Sequence, residues 1–304
     1  MVVQRHSSGG GARAVRALAV AGVMAATAGC GGGGGGDSAV ADERGGAESL
    51  DAVRRAAEVL DGTVSGAGTA AMTGAAARAG AGPVAGSARV RTSMETAAGG
   101  TRVTIRGRGT YDFRGRAGRL KVVLPEDAAG ADKHRPITEL LVPGALYMMN
   151  RGAGVPADKW VRVDTTTLAD GNLVTGGATD PMVAAELLRG AREVTYVERT
   201  VLAGVGVRHY RGVADIGRAA REASPGSREA LAAAAKGFRA LTVPFDVYLD
   251  EQGRVRKVRH RFRFANEGPP VEVTSTMLLS DFGVPVSVRL PDARDIYTGK
   301  IEQR

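Results

Sequence analysis

Residues 87–96 alternate without a break. Ala88, Val90, Thr92 and Met94 fall on one side, and Arg89, Arg91, Ser93 and Glu95 on the other. That period of two predicts a strand with one buried face. After a turn at 97–100, residues 102–113 repeat the pattern. Val103, Ile105, Tyr111 and Phe113 share one face with Gly107 and Gly109 between them, and Arg102, Thr104, Arg106 and Arg108 share the other. A second turn at Gly115-Arg116 leads into 118–124. The spacing predicts an antiparallel meander with one wet, basic side. Glycines inside so long a strand mark a bulge, a bend or a close approach by another group.

Short strands follow at 137–142, 145–150 and 159–164, separated by Pro-Gly and Gly-Ala-Gly signals, after a polar loop at 125–136. Asp180-Pro181 predicts a helix start, an acid at the N-cap and proline at the first helical position, with Gly190 as its stop. Residues 193–202 and 206–214 read as a hairpin. Residues 227–238 read as a helix carrying Leu231, Ala234 and Phe238 on one side. Strands at 244–249, 254–264 and 271–282 form a second meander, and 286–290 adds a candidate edge strand. In the second meander Arg259, Arg261 and Arg263 alternate with Val258, His260, Phe262 and Phe264, and Met277 and Leu279 continue the apolar side. Before the first meander, 47–60 predicts a helix, with Leu50, Val53, Ala57 and Leu60 on one stripe. Residues 63–86 are a low-complexity Ala/Gly stretch. With about eleven strands and few helices, the class is α+β built on a large antiparallel sheet.

The first 29 residues differ from everything after them. Arg5, Arg13 and Arg16 precede a short apolar run, 17–26, with no acids. The run is too short to span a bilayer and fits the apolar region of a secretory signal. Thr27-Ala28-Gly29-Cys30 then resembles a bacterial lipoprotein signal. Ala28 and Gly29 match the small positions before the lipidated cysteine, and Thr27 departs from the aliphatic residue usual there. The resemblance implies a diacylglyceryl group on Cys30, whose two acyl chains give stable anchoring at about 0.8 kcal/mol per buried CH₂. The chain would then be a membrane-anchored protein of the outer face of the cell membrane, with 30–46 a lipidated, glycine-rich tether. As flexible coil, that tether reaches roughly 20–25 Å. The folded domain would occupy 47–304, with 63–86 as an insertion.

Cys30 is the sole cysteine, so no intramolecular disulfide forms, and a lone thiol argues against a cysteine-based zinc site. There are 41 Lys and Arg against 32 Asp and Glu. A basic exported protein suits anionic headgroups or cell-wall polymers. Few aromatics (4%) and export argue against a nucleic-acid partner.

From residue 87 onward the order of pieces is similar to the mycobacterial LppX/LprG lipoprotein family, within the wider LolA/LolB-like group. The resemblance rests on Tyr111-Asp112-Phe113, Leu146-Tyr147-Met148 and Lys159-Trp160-Val161-Arg162-Val163-Asp164. It continues through the hairpin opened by Glu193-Val194 and containing His209-Tyr210-Arg211-Gly212, then 244–250 and Gly253-Arg254-Val255. It implies a curved half-barrel with helices on its concave side. The apolar space between would take acyl chains of a lipid or lipoglycan, carried or presented across an actinobacterial envelope. Partners would be that lipid, the membrane surface, and an envelope transporter or regulator. A rival reading is an envelope sensor or interaction protein, as in the RseB-type regulators that share a LolA-like domain.

No Gly-x-Ser-x-Gly, Ser-x-x-Lys, P-loop or Gly-x-Gly-x-x-Gly is present, and the reading is of a non-enzyme without cofactor or metal. His134, His209 and His260 lie well apart in sequence. Candidate ligand-lining residues are Val103, Ile105, Tyr111, Phe113, Val258, Phe262, Phe264, Met277 and Leu279. Candidate membrane-contact residues are Arg102, Arg106, Arg108, Arg259, Arg261 and Arg263, each adding up to about 1 kcal/mol near an anionic surface.

Overall fold

A computed structural model of the chain describes residues 37–62, 86–98, 100–125, 135–151, 154–174, 179–238, 240–264 and 271–299. Cys30 and the 63–86 segment, apart from Gly86, lie outside the described residues.

The two predicted meanders, with the short strands and the hairpin predicted beside them, form the two halves of a single eleven-stranded antiparallel sheet. The first half is β1 (Ser87–Ala98), β2 (Thr101–Asp112), β3 (Ala117–Val123), β4 (Ile137–Val142), β5 (Ala145–Met149) and β6 (Trp160–Asp164). The second is β7 (Ala191–Leu202), β8 (Val205–Asp215), β9 (Thr242–Leu249), β10 (Val255–Phe264) and β11 (Val271–Ser280). The spatial order runs β6 to β1 and then β11 to β7. The halves therefore meet at β1 and β11, with Arg89 opposite Ser280 and Ala97 opposite Glu272. Strands β6 and β7 are outermost, β6 carrying one parallel bridge from Trp160 to Ile296, and the chain crosses between them over one face of the sheet.

That crossing carries α2 (Pro181–Glu186). Its start follows from the predicted cap: the Asp180 carboxylate accepts from Met182 N at 2.8 Å and Val183 N at 3.2 Å. A 3-10 turn over Leu187–Gly190 ends it. Helices α3 (Ile216–Glu222) and α4 (Pro225–Gly237) lie between β8 and β9. Asp215 caps α3 through Arg218 N at 2.7 Å. α4 has proline at its start but no side-chain cap, because the Ser224 hydroxyl is engaged by Arg116 and Glu186.

α1 spans Asp37–Asp61. It begins ten residues before the expected 47, inside the stretch expected to be coil. The run Ser38-Ala39-Val40-Ala41-Asp42-Glu43-Arg44 contains enough helix formers to carry the helix through Gly45 and Gly46, at about 1 kcal/mol per glycine. Arg54 of α1 donates to the Ala191 carbonyl at 2.9 Å, which docks the helix on the start of β7. Glu186, fully buried, bonds Arg189 at 2.5 Å, and Arg189 bonds Glu58 of α1 at 2.5 Å. Buried charges persist only when paired in this way.

The expected edge strand at 286–290 is not part of the sheet. Pro285 and Pro291 remove ladder donors on either side of it. The segment instead straps the outer face of the first meander. Val284 O accepts from Ser87 Oγ at 2.7 Å, and Tyr297 N donates to Trp160 O at 2.8 Å. Val288 and Ile296 pack there on Leu140, Ala145 and Tyr147.

Candidate functional site

The inner face, on which the helices lie, is built from the predicted apolar positions. Ladder register sets them in transverse rows. One row reads Ile137, Val122, Gly107, Thr92, Met277, Val258, Val247 and Tyr210. The row beside it contains Ile105, Met94, Ser275, His260 and Phe245. The next holds Val103, Thr96, Val273 and Phe262. On the other side, Leu279, Val90, Gly109, Leu120, Glu139 and Met148 align.

Burial along this face is graded. Tyr111, Phe113, Val258, Phe262, Met277 and Leu279 are buried in one continuous core with residues of α1, α2 and α4. Tyr111 and Phe113 stand ring to ring at 5.0 Å, and Phe262 meets Phe238 at 5.5 Å. Ile105 is only half buried, and Val103, two residues nearer the β1–β2 turn, is 39% exposed. Val103 thus lines the end of the face, not its enclosed part. Phe264 is on β10 opposite Val271, and its side chain lies outside the described residues.

Gly109 lies opposite Leu120 of β3. A Cβ on it would stand 1.9 Å from the Arg119 carbonyl oxygen, so only glycine permits this approach.

Sequence reasoning missed the polar atoms in this face. Thr92 Oγ1, both Glu139 carboxyl oxygens, both Asn172 side-chain polar atoms and His260 Nε2 are buried without a hydrogen-bond partner among the described residues. Burial pushes the Glu139 carboxyl up to about 8, only partly opposed by Arg151. Burial pushes the His260 imidazole down to about 3. Both are therefore neutral near pH 7. The alternation Ile137-Thr138-Glu139-Leu140-Leu141 held the signal, since it places Glu139 with Ile137 and Leu141. Ser275 is satisfied: its hydroxyl is 2.6 Å from that of Thr179, which bonds the Leu173 carbonyl at 2.8 Å.

The predicted arginines all lie on the outer face, but they are not equivalent. Arg261 bonds Asp246 at 2.5 Å, Arg263 bonds Glu272 at 3.0 Å, and Arg102 bonds Glu95 at 2.9 Å. Asp246 also takes Arg211 at 3.1 Å and His209 Nε2 at 2.9 Å. Burial opposes its ionisation, but these three hydrogen bonds outweigh it and hold the carboxyl below its usual range. Among the described residues, Arg106, Arg108 and Arg259 form no ion pair. His209 stacks on Tyr248 at 4.3 Å on this face, whereas His260 faces the core. His134 lies outside the described residues. Among the described residues no group of three ligating side chains could hold a metal ion, and no helix is long and apolar enough to cross a membrane.

Two clefts lie away from the nine predicted lining residues. One, of 540 Å³, separates α4 from residues 166–169. The other, of 580 Å³, lies on the outer face over β1–β3.

No protein-family model and no curated protein matches the chain in sequence. Solved structures are similar to it at low identity. The Mycobacterium tuberculosis lipoprotein LppX is 9% identical over 80% of this chain and 99% of its own, with a TM-score of 0.40. LprF from Mycobacterium bovis is 10% identical over 81% and 97%, with a TM-score of 0.40. In the Pseudomonas aeruginosa MucA/MucB complex, the matched chain is 13% identical over 83% of this chain and 61% of its own, with a TM-score of 0.31.

Proposed function

We propose that the chain is a cell-envelope lipoprotein that binds acyl chains of a lipid or lipoglycan on the inner face of its sheet and carries or presents that lipid across the envelope. It acts without catalysis. The observation that carries this reading is the burial gradient along β2. The face is closed over Tyr111 and Phe113, half open at Ile105 and open at Val103. A largely apolar face that runs on to an open end suits a long, flexible apolar ligand. The orphaned atoms of Thr92, Glu139 and His260 give such a ligand's ester or hydroxyl groups something to bond, since buried polar groups otherwise cost free energy. Anchoring would come from Cys30, and contact with anionic lipid from the unpaired outer arginines.

The test is native mass spectrometry of protein from its own host, followed by uptake of a fluorescent fatty acid by delipidated protein. Gly107 faces inward opposite Thr92 and Val122. Gly107→Trp should abolish uptake while thermal melting stays cooperative. Cys30→Ser should abolish metabolic labelling by an alkyne fatty acid.

The enclosed rings of Tyr111, Phe113, Phe245 and Phe262 favour a second reading, an envelope sensor or interaction protein with an occluded core. Absence of copurifying lipid, no uptake, and unfolding of Gly107→Trp would together select it.

A further inference from the structure

The 580 Å³ outer cleft has five cations in its wall. Arg91 on β1 stands directly opposite Arg108 on β2, and Arg108 directly opposite Lys121 on β3. Adjacent strands are about 4.8 Å apart, so three positive charges lie abreast within about 10 Å. Arg89 and Arg119 flank them one row along, separated by Thr110. All five line the cleft, and no acidic residue does. Asp281 at the rim pairs with Arg89 at 2.9 Å. Among the described residues the other four make no ion pair.

Like charges directly opposite one another destabilise a sheet. The other outer-face arginines do not incur this cost unrelieved: Arg261 and Arg263 are matched by Asp246 and Glu272. The strap closes the cleft on one side, with Ser287 in its wall. The strap is fixed at one end through Ser87 and at the other through Trp160. The result is a bounded site, not an open charged surface. Guanidinium groups match phosphate oxygens in pairs, and the threonine and serine hydroxyls add donors.

We propose that this cleft binds a phosphate-bearing anion. The charge-dense part recognised is the same whether it belongs to a soluble oligophosphate or to a phospholipid headgroup. The proposal does not rest on the acyl-binding reading of the inner face.

Inorganic tripolyphosphate is titrated calorimetrically into the purified protein at low salt, and vesicles of phosphatidylglycerol or phosphatidylcholine are cosedimented with it. The double variant R91Q/R108Q is compared with Arg218→Gln, on α3, where Arg218 pairs with Glu222 at 2.8 Å. Binding should weaken at least tenfold in R91Q/R108Q and stay unchanged in Arg218→Gln. Tripolyphosphate binding that also displaces protein from phosphatidylglycerol identifies a soluble phosphate as sufficient. Binding to phosphatidylglycerol alone identifies a headgroup. Folding is followed by thermal melting: R91Q/R108Q should melt no lower than the parent, because repulsion has been removed, and tripolyphosphate should raise the parent's midpoint more than the variant's. The midpoint arm applies where tripolyphosphate binds. Failure of both probes to bind the parent, or equal binding by parent and R91Q/R108Q, overturns the proposal.

Discussion

The Tyr111 hydroxyl donates to Asp180 Oδ1 at 3.1 Å. It joins the C-terminal end of β2 to the residue that caps α2, and so fixes the crossing segment against the inner face. Burial raises the pKa of both groups, so the bond lies in a medium that strengthens it. Tyr111→Phe retains the ring and its packing on Phe113. It should cost about 1.5–3 kcal/mol, the range for a hydrogen bond to a charged group. Urea unfolding checks this; an unchanged midpoint would mean that the bond contributes nothing.

Glu139 and His260 should set opposite limits on stability. The Glu139 carboxyl is raised to about 8 in the folded chain. Its contribution is full below the unfolded carboxyl value, about 4.3, and is lost as pH rises toward 8. The His260 imidazole is lowered to about 3. Its contribution is full above about 6.5 and is lost as pH falls toward 3. Each limb has a slope of about 1.4 kcal/mol per pH unit. Between about pH 4.5 and 6.5 the slopes cancel and leave a plateau. Denaturant unfolding across pH should show Glu139→Gln without the alkaline limb and His260→Asn without the acid limb. A Glu139→Gln variant with the parent's slope between pH 6.5 and 8 would contradict the assignment.

The outer arginines should divide by their ion pairs. Replacing Arg106 and Arg259 with Gln should weaken binding to anionic vesicles, most clearly at low salt. Replacing Arg102 and Arg263 should change it less, because Glu95 and Glu272 already offset them. Cosedimentation with graded salt separates the two pairs; equal losses would remove the distinction.

Local pattern made much of this fold readable. The predicted 137–142 is β4 to the residue, because a short apolar-rich run is bounded by Pro136 on one side and a Pro-Gly turn on the other. The Asp180-Pro181 start is equally local. α3 was not visible: it has seven residues, includes Gly217, and follows β8 directly. The pairing of β1 with β11 has no local signature, since ladder partners are chosen by the whole sheet. For the same reason the neutralisation of Arg261 was hidden. Its partner, Asp246, comes from β9 and reaches it only through the register of β10. The lining face was legible because period two needs only the order of residues. Glu139 was not, because a carboxylate in a strand is read as facing water until its neighbours are known.

The junction of β1 with β11 also governs how the molecule can be made. Its first and last strands are mutual neighbours, so the sheet stays in two pieces until nearly the whole chain has emerged. Each piece then presents a bare strand, β1 on one and β10 or β11 on the other, both able to capture a foreign strand. Contacts so distant in sequence form slowly. A chain that leaves the ribosome in this state depends on being held unfolded until its C-terminal hairpin is free. Truncation before β11 would remove the seam itself and leave two aggregation-prone half-sheets in place of a shorter domain.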